Sequence, residues 1–390
     1  MRIARVMTRL NLGGPARQAL ASDPELLARG HELRLFAGSP LDGEGDLFDE
    51  ARDLGMDVVR IPGLGRDPRP AADFAALRSL RRELSDFQPE VLHTHASKAG
   101  FLGRLASRGR AWARVHTFHG HVLEGYFSRP VSGALIWSER RLAQGTTRLI
   151  AVSDKTRLDL VRLGVASADK IDVVSPGVDI SGFLRLSPSM DDAGSSFRAQ
   201  CGCEEGDLLV GVVGRLAEVK RPCVALEAFR RAALKEPSLR LVFVGDGSER
   251  RLLEARLAEL EPGLRSRVCL MGNQVSMLPV FAACDLALLS SRSEGMPVAL
   301  IEAAAGAVPV VATPVGGVPE LVVNGETGRL AEEAEGLARC LVELSRHERL
   351  RVDMGLAARA RVRERHSAKA LADRLEGIYD GVVGELLCAS

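Results

Sequence analysis

The chain has 390 residues, which is too long for a single core and suits two domains of ordinary size. With 46% hydrophobic residues, 26% charged residues and a formal net charge of +1, the composition is that of a soluble enzyme. Seven cysteines without a C-x-x-C spacing argue against a disulfide framework and for reduced thiols. No window approaches the roughly 18 uninterrupted apolar residues of a membrane-spanning helix, and the first residues have the pattern of a strand, not of a signal peptide. We therefore expect a cytoplasmic protein.

The first half of the chain alternates short apolar runs with amphipathic stretches. The runs predict strands at 3–8, 32–37, 58–61, 91–94, 114–118 and 149–152. The stretches between them predict helices at 15–29, 71–86, 99–108 and 154–163. This alternation is typical of an α/β domain built on a doubly wound parallel sheet.

A second alternating series follows a stretch at 187–206 that is rich in Ser, Pro, Gly and Asp and is the best candidate for a linker. Its predicted strands are 208–213, 239–244, 268–271, 286–289 and 308–312, and its predicted helices are 222–235, 249–260, 277–283 and 297–304. The tail, 335–387, has a helical pattern that is interrupted at Gly355 and near Ser367. Two Rossmann-like domains result, with predicted bounds 1–185 and 186–367.

The special residues of the chain fall at the carboxyl ends of predicted strands, which is where open α/β sheets bind their ligands. They are Gly13-Gly14, His119-Gly120, Gly214-Arg215, Gly245-Asp246-Gly247, Glu294 and the segment 313–317. A random scatter of glycine and charge would not produce this placement. We therefore predict a ligand-binding edge on each sheet.

A strand, loop and helix at 286–305 form the most informative stretch. Pro297 is placed as a first helical residue, so the amides of residues 295–299 are predicted to be unpaired at the positive end of the helix dipole. Such a place suits an anion. Glu294 and Glu302 bracket it, and a buried carboxylate beside a phosphate is usually there to accept hydrogen bonds from hydroxyl groups. The combination predicts a sugar nucleotide as ligand.

Two cations, Arg215 and Lys220, lie across the turn that follows Gly214. They could clamp a diphosphate, Arg215 through its planar fork and Lys220 as a point charge. Surface solvation is the alternative. If these cations neutralise the leaving group, no divalent metal is required, and the chain contains no D-x-D pair to hold one.

The glycine pair Gly13-Gly14 precedes Pro15 at the start of the first helix and allows a close backbone approach to a ligand. It is not part of a G-x-G-x-x-G motif. The absence of that motif counts against a nicotinamide or flavin dehydrogenase.

Five of the eight histidines are clustered in the first half of the chain: His93, His95, His116, His119 and His121. Alternate residues of a strand share a face, so His93 is predicted to lie beside His95. A metal site is one interpretation, because imidazoles at this spacing can share an ion. Hydrogen-bonded histidines at strand ends are the other. His119 follows the end of its strand, where a side chain can enter a cleft, and is the one that we single out.

Basic residues outnumber acidic ones between Lys98 and Arg148 by nine to two. This bias predicts either a surface for an acidic partner or a solvated helix face. On the first interpretation, the acceptor is lipid-linked and the first domain rests on an anionic membrane.

These motifs together resemble the family 4 (group 1) retaining glycosyltransferases of the GT-B fold. The resemblance rests on residues 294–302, 214–220, 245–247, 176–179 and 308–317, and covers nearly the whole chain. It implies two Rossmann-like domains with the active site in the cleft between them, and a last helix, about 368–390, that crosses back onto the first domain. Residues 94–100 are similar to stretches in members that build bacterial surface polysaccharides, which makes His95 and Lys98 candidates for the acceptor side.

The resemblance also implies roles for individual residues. Glu302 matches the residue that binds the ribose, Glu294 the one that lies against the donor sugar, and His119 the active-site histidine near the transferred sugar. Arg215 and Lys220 match the residues that hold the phosphates. The implied catalytic residues are His119, Arg215, Lys220 and Glu294, and the implied donor site comprises Gly13, Gly14, Gly214, Arg215, Lys220, Asp246, Gly247, Glu294, Gly295, Met296, Pro297, Val298 and Glu302.

The leading hypothesis is therefore transfer of a sugar from a nucleotide diphosphate donor, a UDP-sugar, to an acceptor hydroxyl with retention of configuration. A leaving phosphate oxygen that takes the acceptor proton would explain why no carboxylate pair at glycosidase spacing stands out. A sugar-nucleotide epimerase and a non-catalytic nucleotide-sugar binding module stay open as alternatives. The expected partners are the donor, a glycan or lipid-linked acceptor and an anionic membrane surface. We expect no cofactor, no metal and no nucleic acid.

Overall fold

The computed structural model describes residues 1–41, 44–120, 123, 128–186 and 192–389. Its contacts divide the chain into two compact units. The first unit comprises Met1–Val178 and Ala368–Ser390, and the second unit comprises Asp179–Ser367.

The first unit is built on a seven-stranded parallel sheet with the order β3-β2-β1-β4-β5-β6-β7. The strands are β1 (Arg2–Met7), β2 (Glu32–Ala37), β3 (Asp57–Arg60), β4 (Val91–His95), β5 (Ala113–Phe118), β6 (Arg148–Ala151) and β7 (Ile171–Val173). The helices that connect them are α1 (Gly14–Ala28), α2 (Phe48–Asp53), α3 (Pro70–Phe87), α4 (Ser97–Ala106), α5 (Arg129–Gln144) and α6 (Asp154–Arg162). The order reverses between β1 and β4, so the loops after these two strands flank the topological switch point.

The second unit repeats this plan with a six-stranded parallel sheet of order β10-β9-β8-β11-β12-β13. The strands are β8 (Leu208–Val213), β9 (Leu239–Val244), β10 (Val268–Gly272), β11 (Leu286–Leu289), β12 (Val310–Ala312) and β13 (Gly328–Leu330). The helices are α7 (Ser181–Leu184), α8 (Asp192–Gln200), α9 (Pro222–Ala233), α10 (Arg250–Ala258), α11 (Pro262–Arg265), α12 (Leu278–Ala283), α13 (Val298–Ala305), α14 (Val318–Leu321), α15 (Ala334–Arg346) and α16 (Glu348–Arg365). Here the switch point lies between β8 and β11.

The last helix, α17 (Ala368–Ala389), packs on the sheet of the first unit. Leu371, Leu375 and Tyr379 are buried in one core cluster with Ile3 and other residues of β1, β4 and β5. A second apolar cluster covers the other face of this sheet, and burial of both faces explains why the strands are near-continuous hydrophobic runs. No helix in the described part of the chain combines the length and the apolar content needed to cross a bilayer.

The predicted fold class, two doubly wound parallel sheets, is confirmed, and three local predictions are wrong. The linker at 187–206 contains helix α8, and its residues 187–191 lie outside the described residues. Glycine is common in loops, but Gly194 lies in α8 and allows this helix to pack closely on α12. A Cβ at this position would lie 2.8 Å from the Ala282 carbonyl oxygen.

The second error is the break at Gly355, which lies inside α16. A Cβ at this position would lie 2.0 Å from the Ala307 carbonyl oxygen, so the glycine serves a close packing contact and not a helix end. The helix break falls at His347 instead, between α15 and α16. The third error is one of omission, since the short elements α2 and β13 and the longer α5 were not predicted.

Candidate functional site

The second unit places two loops side by side at its switch point, and most of the predicted donor residues lie on them. The first loop, residues 214–221, follows β8, and its last three residues before Arg221 form one turn of 3-10 helix. The second loop, residues 290–297, follows β11 and leads into α13. Because β8 and β11 are neighbours in the sheet, the two loops lie against each other.

A charged pair joins the loops. The ammonium Nζ of Lys220 lies 2.6 Å from Oε1 of Glu294, and the hydroxyl of Ser291 donates a hydrogen bond to the same oxygen at 2.5 Å. The Glu294 side chain is only 8% exposed, whereas the Lys220 side chain is 29% exposed. A buried carboxylate is therefore held by a cation that still reaches solvent, which leaves the cation accessible to a ligand.

Further hydrogen bonds fix the backbone of this turn. The hydroxyl of Ser290 donates to the carbonyl oxygens of Lys220 and Arg221 at 3.0 and 2.9 Å, and Nε of Arg221 donates back to the Ser290 carbonyl oxygen at 2.8 Å. The amide of Arg292 donates to the Val219 carbonyl oxygen at 2.8 Å. Sequence reasoning missed Ser290, Ser291 and Arg221. Their positions in the sequence could have indicated them, because all three directly adjoin predicted site elements.

Glycines bring the loop after β9 into contact with the first loop. A Cβ on Gly245 would lie 2.1 Å from the Gly214 carbonyl oxygen, and one on Gly247 would lie 2.3 Å from the Leu216 carbonyl oxygen. Gly214, Gly245 and Gly247 all have a positive φ, which disfavours a larger residue at each position, and at Gly245 and Gly247 the lack of space excludes one as well. Asp246 accepts a hydrogen bond from the Gly247 amide at 2.7 Å and pairs with Arg250 at 3.1 Å.

The loop after β12 covers the second loop from the other side. The hydroxyl of Thr313 donates to the Ser291 carbonyl oxygen at 2.7 Å, and the Gly317 amide donates to the Gly295 carbonyl oxygen at 2.9 Å. Gly316 has a φ of +56°, and a Cβ there would lie 1.7 Å from the Glu294 carbonyl oxygen. The backbone that carries Glu294 is thus enclosed by loops on both sides.

The remaining donor candidates lie at the start of α13. Met296 and Pro297 are buried, Val298 is half-buried, and Glu302 is buried on the helix. The helix begins at Val298, one residue later than predicted, with Pro297 as the capping residue. Arg215 is exposed at the end of β8. All the predicted site residues from Gly214 to Glu302 therefore belong to the second unit.

The other predicted residues belong to the first unit. Gly13 caps α1, and Gly14 is the first residue of that helix. Gly13 has extended backbone with a φ of −131°, so a left-handed conformation does not explain it. Lys98, in the first turn of α4, pairs with Asp73 at 2.5 Å and donates a hydrogen bond to the Asp67 carbonyl oxygen.

His119 directly follows β5 and is hydrogen-bonded to His95, the last residue of β4, with 2.9 Å between Nε2 of His119 and Nδ1 of His95. His93 lies beside His95 as predicted, with 4.1 Å between the ring centroids. Burial lowers the pKa of His119 to about 3, and the nearby Arg5 guanidinium acts in the same direction. Burial also holds the pKa values of His93, His95 and His116 well below the ordinary value. These imidazoles are therefore neutral at physiological pH.

The metal interpretation of this cluster gains nothing from the structure. Within the described residues, no group of three His, Cys, Asp or Glu side chains is arranged to hold a metal ion. His121 lies outside those residues. His93 and His116 fit the other interpretation, that of hydrogen-bonded histidines, because they are hydrogen-bonded to Thr117 and Thr94 at 2.7 and 2.9 Å.

Backbone strain marks the junction between β4 and α4. Ala96 has a φ of 61° and a ψ of 168°, a region that is essentially reserved for glycine. Strain of this kind costs of order 1–3 kcal/mol and persists only where the surrounding structure imposes it. The strained residue, Ala96, directly follows His95, a member of the histidine pair.

Two family models match the chain. A model described as "Glycosyl transferases group 1" matches residues 207–347, and one described as "Glycosyltransferase Family 4" matches residues 12–181. The first match lies within the second unit, and the second match lies in the first unit except for its last three residues.

Curated relatives and solved structures agree with these models. The chain is 30% identical to the UDP-Gal:alpha-D-GlcNAc-diphosphoundecaprenol alpha-1,3-galactosyltransferase of Escherichia coli, over 70% of each chain. It is 31% identical to the D-inositol 3-phosphate glycosyltransferase of Nocardia farcinica, over 89% of this chain and 80% of the relative. The structure of Anabaena HepE in complex with UDP and glucose matches with a TM-score of 0.83 at 21% identity, covering 98% of this chain and all of that one. This likeness confirms the predicted fold.

Proposed function

The chain belongs to the group 1 and family 4 glycosyltransferases, and from that premise we propose that it transfers a sugar from a UDP-sugar to an acceptor hydroxyl with retention of configuration. The observation that supports this best is the joined pair of loops in the second unit, where the Lys220 ammonium lies 2.6 Å from the buried Glu294 carboxylate. The names of the two relatives support a UDP-sugar donor and a lipid-linked or small polyol acceptor.

The second unit supplies the electrostatic part of the reaction. Negative charge grows on the diphosphate as its bond to the sugar breaks, and Lys220, Arg215 and the first amides of α13 are the groups that would stabilise it. The hydrogen bonds of Ser290 and Arg221 hold the Lys220 turn in place before the donor arrives. Preorganised charge of this kind needs no rearrangement during the reaction.

Glu294 and Glu302 would recognise hydroxyl groups. Both are buried carboxylates, and a carboxylate accepts hydrogen bonds without donating any. Following the family resemblance, Glu302 would bind the ribose and Glu294 the transferred sugar.

Retention and metal independence are parts of the same proposal. A leaving phosphate oxygen would take the proton of the acceptor hydroxyl on the face from which the bond breaks, and the cations would take the place of a divalent ion. The anomeric coupling constant of the product, read by proton NMR against that of the donor, tests retention. Turnover that is abolished by a chelator and restored by a divalent ion would contradict metal independence.

The central test uses purified protein, a panel of UDP-sugars and undecaprenyl-diphosphate-sugar or inositol phosphate acceptors. We expect turnover with one donor, and loss of UDP binding in both Arg215→Ala and Glu302→Ala as read by thermal shift. If neither binding nor turnover occurs with any donor, or both variants match the wild type, the assignment is wrong.

Two measurements separate the alternatives. An epimerase would incorporate solvent deuterium into the donor sugar without an acceptor. A binding module would bind UDP-sugar tightly and turn over no acceptor.

We also propose that the first unit contacts an anionic membrane. Helix α5 exposes Val131 and Trp137, with 62% of Trp137 exposed, and the Arg141 guanidinium lies 5.5 Å from the Trp137 ring centroid. An exposed tryptophan beside arginine suits the interface of a bilayer with anionic lipid. Many other cations of the basic stretch are engaged within the protein, for example Arg104 in a buried pair with Glu139 at 2.7 Å.

Sedimentation with liposomes tests this surface. We expect binding that rises with the fraction of anionic lipid and falls in Trp137→Ser and Arg141→Glu. Arg349→Glu, at a fully exposed position of α16 in the second unit, is the matched control and should bind as the wild type does. Equal binding to neutral and anionic vesicles would remove the proposal.

A further inference from the structure

A buried ion pair lies beneath the histidines of the first unit. Arg5 of β1 and Asp23 of α1 are 1% and 0% exposed, and 2.9 Å separates Nη1 of Arg5 from Oδ1 of Asp23. The guanidinium also donates to the Ser22 hydroxyl at 3.1 Å and, through Nη2, to the hydroxyl of Tyr379 at 3.2 Å. Tyr379 comes from α17, so the end of the chain takes part in this cluster.

The donors and acceptors of the cluster fix the direction of each hydrogen bond. A guanidinium has only donors, so the Tyr379 oxygen accepts from Arg5. The buried Tyr379 hydroxyl hydrogen also needs an acceptor, and among the described residues the other group bonded to this hydroxyl is Nδ1 of His93, 2.6 Å from its oxygen. We therefore assign Tyr379 as the donor to Nδ1 of His93. His93 consequently carries its own hydrogen on Nε2, which lies 2.7 Å from the hydroxyl oxygen of Thr117 and donates to it.

The ring of His93 lies against the ring of His95, which is hydrogen-bonded to His119. The rings of His93 and His95 lie 4.1 Å apart at an interplanar angle of 34°, and those of His95 and His119 lie 5.2 Å apart at 25°. Nε2 of His95 and Nδ1 of His119 are buried, and neither has a hydrogen-bond partner in the described part of the chain. One of these two nitrogens must carry a hydrogen and the other a lone pair, because each neutral imidazole has one of each and one bond joins them.

We propose that Arg5 and Tyr379 are positioning residues for His119: they fix the tautomer of His93, whose ring stacks on that of His95, and so favour one of the two tautomer arrangements of the His95–His119 pair. This arrangement determines whether Nδ1 of His119 presents a hydrogen or a lone pair to the substrate. The inference rests on the proposed function, in which His119 contacts the transferred sugar. A neutral ring in one tautomer offers a hydroxyl group one defined hydrogen bond, whereas a ring that exchanges between tautomers offers two competing ones.

Tyr379→Phe tests the proposal, because it removes one hydroxyl and keeps the ring in the core. Nitrogen-15 NMR of the histidine rings reports the tautomers without any need for turnover. We expect the Nε2–H tautomer of His93 and a single tautomer of His119 in the wild type, and both tautomers of His93 with shifted His119 nitrogens in the variant. A wild-type His93 in the Nδ1–H tautomer, or His119 nitrogens that do not move in the variant, would overturn the proposal.

A matched control separates positioning from packing. Val382 is a buried residue of the same helix, and Val382→Ala removes core volume without touching the cluster. We expect Tyr379→Phe to lower kcat about tenfold, the equivalent of one hydrogen bond, with KM for the donor unchanged. Val382→Ala should lower Tm at least as much and leave kcat unchanged.

Two kinetic results would count against the inference. They are an unchanged kcat in Tyr379→Phe, and a loss of kcat in both variants that follows Tm. If the wild-type chain turns over no sugar nucleotide, the proposed function fails separately, and the NMR measurement alone then supports or overturns the hydrogen-bond chain.

Discussion

The ligand edges of the two units have the same topology but carry different charges. In the second unit, the loops at the switch point carry Lys220 and Arg215, cations that reach solvent. In the first unit, the corresponding edge carries His95 and His119, which burial keeps neutral. Accessible cations can neutralise a diphosphate, whereas neutral imidazoles can donate one hydrogen bond to a hydroxyl group or accept one from it. Residue type and burial together thus give two equivalent sheet edges different chemistry.

The two edges are also held in different ways. Loops of the second unit are fixed by close backbone approaches at glycine, such as Gly245 on Gly214, and by hydroxyls that bond to carbonyl oxygens. The histidines of the first unit are fixed by side chains that extend to the buried Arg5 and Asp23. Backbone packing is insensitive to pH, and a buried ionisable cluster is not. We therefore expect pH and mutation to affect the two units differently.

The largest expected effect is acid destabilisation confined to the first unit. His93, His95, His116 and His119 are neutral when folded and take up protons on unfolding below the ordinary pKa of 6.5, so their contribution to stability is present above that pH and is lost as the pH falls. Asp23 acts in the opposite sense, because burial raises its pKa from 3.8 to about 6 and its contribution is lost as the pH rises through 6. Four histidines outweigh one aspartate, so we expect the first unit to lose stability as the pH falls from 7 to 5.

Hydrogen exchange with mass spectrometry at pH 7 and pH 5 checks this prediction unit by unit. Peptides from β4 and β5 should lose protection at the lower pH, while peptides from β8 and β11 should keep it after correction for the intrinsic exchange rate. His116→Asn should flatten the dependence by about one proton. Equal loss of protection in both units would show that the electrostatic contrast has no energetic consequence.

The next effect is on catalysis in the second unit. Lys220→Ala removes a cation from the diphosphate site and leaves the buried Glu294 without its charged partner, so we expect kcat to fall about 10²- to 10³-fold. Arg292→Ala is the matched control, because Arg292 lies on the adjacent loop in an exposed pair with Glu218 at 3.1 Å. Such pairs contribute about 0–1 kcal/mol, so its kcat should stay within about threefold of the wild type. Similar losses in both variants would argue against a specific role for Lys220.

The sequence could predict which residues lie at the ligand edge of each sheet, but not how far they are buried or whether they are charged. The apolar runs of the sequence predicted the exact bounds of β8, β9 and β11, because buried parallel strands are continuous apolar runs with sharp ends. The place of Lys220 near Glu294 also followed, since residues after neighbouring strands meet. Tyr379 could not be found this way, because 286 residues separate it from His93 and helical periodicity assigns it only to a buried face.

Glycine was the residue that sequence reasoning most often misread. Gly194 and Gly355 were predicted as linker and helix break, because glycine is common in both places. Each instead permits a close packing contact within a helix, which depends on a partner far away in sequence. The same residue type thus signalled a turn correctly at Gly214 and wrongly at Gly355, and only tertiary contacts distinguish the two cases.

A smaller effect is expected from Gly316→Ala, which tests the backbone packing of the donor loops. The added methyl would lie 1.7 Å from the Glu294 carbonyl oxygen, so the second loop must shift and kcat should fall about tenfold. Gly325→Ala is the control, since its φ of +91° causes similar strain but its nearest neighbour is the Arg329 side chain at 3.6 Å. If both variants lose stability and neither loses kcat, the loop after β12 has no part in positioning Glu294.

The smallest effect concerns Lys98, whose place on the acceptor side stays a prediction. Its ammonium is already held by Asp73 and by the Asp67 carbonyl oxygen, so an acceptor would have to compete with groups of the protein. We therefore expect Lys98→Ala to change KM for the acceptor by no more than about threefold, which corresponds to the effect of about 0–1 kcal/mol typical of an ion pair near the surface. Lys155→Ala, which breaks a helical pair with Asp159, is the control for loss of one positive charge from the first unit. A rise of more than tenfold in KM for the acceptor, absent from the control, would place Lys98 in contact with the acceptor. It would also show that the first unit carries an accessible cation at its ligand edge, as the second unit does.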